Sequence, residues 1–152
     1  MLTEQQISLV QSSFARVLPI AEQAGMLFYE RIFSLAPEAR SLFGEDIRTQ
    51  AARTMAAVKT AVDGLRDLDS VAPFLVRLGA RHVRYGVQPE HFAIVGEALM
   101  WTLGQGLGDE FTEPVRHAWA EVWVIIVETM MTGMRQAEAR MFDVAGSSRE
   151  GS

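Results

Sequence analysis

The residues of this chain that can do chemistry are few, and the most informative is a histidine at the end of an apolar stripe. There are three histidines, His82, His91 and His117, and no cysteine. Val71, Phe74, Leu75, Leu78 and His82 step by three and four, so they share one face of a helix. His82 therefore continues a stripe that faces the core. A buried imidazole must satisfy both ring nitrogens. A core hydrogen bond does so. Coordination of a metal by one nitrogen, with the other donating to a backbone carbonyl, does so as well. This helix carries no second histidine or carboxylate at metal-cage spacing. A metal held by His82 would need a cofactor to supply its other ligands, as haem does. The pattern alone leaves both readings open, and a structural histidine is the commoner of the two. His91 and His117 lack such a stripe and read as structural or exposed.

The elements that must position His82 are helical throughout, with no strand-type alternation. Thr3 and Gln6 have the form of a capping box opening a first helix with the stripe Ile7, Val10, Phe14 and Leu18. A second helix spans about Ala21 to Leu35. Pro37 ends it and opens a short turn to Leu42 and Phe43. Gly44, Glu45 and Asp46 read as a connection in which Asp46 caps a third helix, about Ile47 to Leu65. Gln50, Thr54, Val58 and Ala61 share one side of it. Ser70 is the expected cap of the His82 helix, with Pro73 in its first turn and Gly86 as its stop. Pro89 starts the next, to about Leu107, which Gly104, Gly106 and Gly108 end. Thr112 and Pro114 start a last long helix to about Phe142. The reading is an all-α fold of about six long helices plus short turns. A single domain spans 1–142, followed by a frayed or disordered tail at 143–152.

Composition removes several function classes. The 152 residues are 49% hydrophobic, enough for one sizeable core. The charge is −5, from 14 Lys and Arg against 19 Asp and Glu. No dense basic run is present, so nucleic-acid binding through a basic patch is not expected. Without cysteine there are no disulfides, thiolate zinc sites or iron–sulfur clusters. The N-terminus lacks a signal-peptide pattern, and the longest strongly apolar stretch, Val122 to Val127, is far short of a membrane span. A cytoplasmic protein with no membrane partner is expected.

The segment Leu78-Gly79-Ala80-Arg81-His82-Val83-Arg84-Tyr85-Gly86-Val87 resembles the proximal region of globins. It is most similar to bacterial single-domain haemoglobins, the globin halves of flavohaemoglobins and the neuroglobin-like branch. Further matches keep their order: Phe28-Tyr29 with Ile32-Phe33, Pro37-Glu38, Leu42-Phe43, the stretch Phe92 to Leu99, and Ala118-Trp119 with Trp123. The resemblance covers about residues 3–135. It implies a three-over-three globin fold around haem b, with His82 as the proximal iron ligand. It also implies haem packing by Phe43, Leu78, Val87, Phe92 and Val95.

On the distal side the resemblance places Tyr29, Gln50 and Thr54 near the bound gas. A phenol and an amide can donate to a diatomic ligand that gains negative charge. Arg53, Arg81 and Arg84 are the candidates for pairing with the haem propionates. The implied function is reversible binding of oxygen, and of nitric oxide and carbon monoxide, at an iron capable of five-coordination, for storage or delivery. The alternatives are nitric oxide dioxygenation with a separate reductase, and a haem-based gas sensor; no catalytic residue is assigned. A monomer or homodimer is expected.

Two departures from the flavohaemoglobins bear on that choice. Gly104-Gln105-Gly106-Leu107-Gly108 follows a helix, not a strand, and is not a dinucleotide fingerprint. The positions matching the tyrosine and glutamate that polarise the proximal histidine in those enzymes are Phe92 and Met134, and neither can accept from an imidazole N–H. Gas binding therefore ranks above turnover.

Overall fold

The computed structural model describes residues 2–43, 46–84 and 86–150; the side chains of Arg84 and of residues 143–150 lie outside that description. Six α-helices follow one another: α1 Glu4–Val17, α2 Ala21–Leu35, α3 Ile47–Asp63, α4 Leu68–Arg84, α5 His91–Leu107 and α6 Glu113–Glu150. Short 3-10 helices at Leu18–Ile20, Pro37–Leu42 and Gly108–Glu110 link some of them. No strand occurs among the described residues. None of their helices is long and apolar enough to cross a membrane.

The helix starts follow local chemistry. Thr3 Oγ1 accepts from Gln6 N at 3.1 Å and Thr3 N donates back to Gln6 Oε1 at 3.0 Å, closing the capping box of α1. Asp46 accepts from Thr49 N at 3.0 Å and caps α3.

Four expected boundaries are corrected. Helix α4 begins at Leu68, so Ser70 lies inside its first turn, its hydroxyl donating back to Asp67 O at 2.8 Å. Pro73 then falls in the second turn, where it removes one helix hydrogen bond near an exposed end. Helix α5 runs through Gly104 and Gly106 and stops only at Gly108, whose φ of +56° favours glycine. It begins at His91 because Pro89 belongs to the preceding turn, where Gln88 N donates to His91 Nδ1 at 2.9 Å. Helix α6 continues past Phe142 to Glu150, a stretch that contains no proline.

The apolar interior falls into two bodies. The larger joins α1, α4, α5 and α6 with the end of α3, around Val10, Val62, Trp119 and Val122. The smaller is built from α2, the Pro37–Leu42 turn, the start of α3 and α5, around Phe28, Tyr29, Ile32, Ala51 and Ala98. Leu99 packs against both. Helix α4, which carries His82, packs chiefly on α6, whereas α2 packs on α3 and α5.

Candidate functional site

His82 lies on the last turn of α4 and is partly buried. Its Nδ1 is 2.6 Å from the carbonyl oxygen of Leu78, one turn earlier. That carbonyl can only accept, so Nδ1 carries the proton and Nε2 carries the ring lone pair. Burial pulls the imidazole below the ordinary histidine range, with the Leu78 bond acting in the opposite direction. The ring is therefore neutral near pH 7. The Phe92 ring is 6.4 Å from it between centroids, and Trp123 stands 6.5 Å beyond Phe92. Met134 is buried in the larger apolar body.

The second polar group is assembled by α2 and α3. Tyr29 is 4% exposed and belongs to the smaller apolar body. Its hydroxyl is 2.6 Å from Thr54 Oγ1 and accepts from Gln50 Nε2 at 3.5 Å. Gln50 and Thr54 are four residues apart, so α3 presents both to the same phenol. Burial raises the Tyr29 pKa above its usual value, and the Thr54 and Gln50 bonds offset this in part. Phe28, Phe33 and Phe43 surround the phenol at centroid distances of 5.3, 6.0 and 5.1 Å. Behind Thr54 lies a small apolar cavity of about 20 Å³, lined also by Phe28, Met55, Val58, Leu99 and Trp119, with room for about one water-sized molecule.

The sequence-predicted residues divide accordingly. Tyr29, Gln50 and Thr54 come together in one hydrogen-bonded set. Phe43 and Val95 pack with the smaller apolar body; Leu78, Val87 and Phe92 belong to the larger. Arg53 and Arg81 are exposed, and the side chain of Arg84 lies outside the described residues, as does all of Tyr85. His91 serves the turn before α5, and His117 is an exposed residue 3.9 Å from Glu121.

Two participants carry no side-chain signal in the sequence. The Leu78 carbonyl is a main-chain group, inferable only from its place four residues before a helical histidine. Leu99 joins the two apolar bodies and reads in sequence as ordinary core. Among the described residues no three His, Cys, Asp or Glu side chains gather to hold a metal ion. A metal at His82 would take its remaining ligands from something other than such a cluster.

The globin family profile matches residues 27–130 of this chain. Neuroglobin-2 of Oncorhynchus mykiss is 30% identical over 146 residues, covering 87% of this chain and 92% of that protein. Neuroglobin of Tetraodon nigroviridis is 32% identical over 123 residues, 72% of this chain and 77% of the relative. A flavohemoprotein of Vibrio cholerae serotype O1 is 28% identical over 138 residues, 86% of this chain but 34% of that longer protein. The fold is shared with a solved hexacoordinated heme protein from an anhydrobiotic tardigrade, at a TM-score of 0.82 and 21% identity over 88% of this chain and 96% of that one. With the profile spanning well over half of its length, the chain is a member of the globin family.

Proposed function

We propose that this globin holds haem b through His82 Nε2 and binds oxygen reversibly, with Tyr29 as the hydrogen-bonding group on the distal side. The donor set fits the group. A neutral imidazole with Nδ1 committed to a backbone carbonyl presents Nε2 for a metal. An apolar interior split into two bodies, with candidate packing residues in each, suits a flat macrocycle between them. Exposed Arg53 and Arg81, with Arg84 on the same helix as Arg81, suit the two propionates. Haem, when bound, supplies an iron whose open position takes oxygen, carbon monoxide or nitric oxide.

The observation that carries the reading is the Tyr29 hydroxyl, buried among aromatic rings and bonded to Thr54 and Gln50. A phenol in that position donates to a ligand that becomes partly anionic, and the surrounding rings exclude water that would compete. A hydrogen bond to a charged group contributes about 1.5–3 kcal/mol, roughly tenfold to a hundredfold in affinity. Haem reconstitution should give a ferrous protein that oxygenates reversibly. Tyr29→Phe should release oxygen about tenfold to a hundredfold faster. An unchanged off-rate would sink the distal assignment, and no Soret band after haem addition would sink the whole reading.

A further inference from the structure

We infer that Gly79 and Gly133 are positioning residues for His82: their backbone-to-backbone crossing of α4 on α6 sets where the imidazole can stand. The inference rests on His82 being the iron ligand. A Cβ built on Gly79 would lie 1.9 Å from Met130 O, 2.6 Å from Met130 C and 2.7 Å from Met130 Cα. A Cβ on Gly133 would lie 1.9 Å from Val76 O, 2.8 Å from Val76 C and 3.1 Å from Ala80 N. The two clashes are reciprocal, each glycine receiving the main chain of the facing helix. Every obstructing atom is backbone, so no rotamer change relieves it. Apart from proline, glycine is the poorest helix former, yet here it occupies the interior of both helices. Contact, not propensity, explains its presence.

The crossing sits next to the histidine. Gly79 precedes His82 by three residues, about 4.5 Å along the helix axis. The His82 ring is bonded through Nδ1 to Leu78 O, so it is fixed to the backbone of α4 itself. Helix α4 leans chiefly on α6. A shift of α4 relative to α6 is thus a shift of the imidazole, with no soft side-chain layer between the backbones to absorb it.

The experiment is resonance Raman spectroscopy of the iron–histidine stretch in the ferrous, ligand-free, haem-loaded protein. Gly133→Ala and Gly79→Ala should each shift the band. Gly106→Ala is the control, because a Cβ there meets only Ile20 Cδ1 at 3.5 Å and Val17 Cγ2 at 3.6 Å. Bands of both crossing variants coincident with the parent would overturn the inference, even if thermal stability falls. Detaching the ligand decides the matter if neither variant takes up haem. In His82→Gly supplied with free imidazole, the iron–imidazole band should move away from that of the tethered parent, and an identical frequency would overturn the inference. His82→Gly without imidazole separates the two levels of argument: a spectrum unchanged from the parent would remove the ligand assignment itself, and the inference with it.

Discussion

Thr54 turns its hydroxyl to Tyr29, at 2.6 Å, instead of to its own helix. The mid-helix threonines Thr60, Thr102 and Thr129 bond back to the carbonyl four residues earlier, at 3.0, 2.8 and 2.8 Å, and Thr132 does the same at 3.2 Å. Thr54 departs from this common habit of helical threonine. Either oxygen can be the donor, and if Tyr29 donates, its proton is committed to Thr54 and not to a distal ligand.

That competition predicts the direction of one substitution. Thr54→Val keeps the side-chain shape and removes the hydroxyl, leaving the Tyr29 proton to the ligand. Oxygen release should slow by about tenfold, the equivalent of one ordinary hydrogen bond redirected. Stopped-flow measurement of the off-rate checks it; acceleration would mean that Thr54 donates to Tyr29 and holds it in place.

Helices α2 and α3 leave little room at Gly25. A Cβ there would meet Ala51 Cβ at 3.0 Å and Met55 Cγ at 3.2 Å. Gly25→Ala should cost about 1–3 kcal/mol through overpacking. Gln50, next to Ala51, is already at the limit of reach from Tyr29 at 3.5 Å and should lose that bond. Denaturant unfolding measures the first effect. A faster oxygen off-rate reports the second.

Ser13 and Trp119 form a buried polar pair across the chain, with the indole N–H donating to Ser13 Oγ at 2.8 Å. Ser13 in turn donates to Val10 O at 3.0 Å. Ser13→Ala orphans the indole N–H in a fully apolar setting and should cost about 1–3 kcal/mol. A loss of this size in equilibrium unfolding, with oxygen kinetics unchanged, is the expected outcome.

The raised pKa of Tyr29 carries a pH signature. Burial keeps the phenol neutral above its usual value near 10.0. Below that value both folded and unfolded chains hold the proton, so the group adds no pH dependence. As pH rises beyond it the unfolded chain ionises first, and stability falls until the folded pKa is passed. Tyr29→Phe should flatten that alkaline decline. Absorbance titration of phenolate should also lose its late-titrating component.

The sequence carried the stripe that ends at His82 because core-facing periodicity is a local property of one helix. Tyr29, Gln50 and Thr54 were legible only through family likeness, since their meeting depends on how α2 crosses α3. Of the glycines at 79 and 133, the first enters only as part of the globin-like segment and the second carries no signal of its own. Their meaning requires knowing that α4 lies on α6, which no local pattern states. Ser70 misled for a different reason. A serine before an apolar run looks like a cap, but here Leu68 and Asp69 already had helical neighbours to join, and the hydroxyl turned back to Asp67.

The two buried polar pairs also differ in how much chain they close. Tyr29 and Thr54 are 25 residues apart, whereas Ser13 and Trp119 are 106 apart. That is about two doublings of loop length, or roughly 1.2 kcal/mol of additional closure entropy. The Tyr29 corner thus closes over a shorter stretch of chain, and the two ends must be gathered for the Ser13–Trp119 pair of the larger apolar body. Contacts of shorter sequence separation form earlier in folding than more distant ones. On this ordering, the pocket wall is among the first pieces of the molecule to exist.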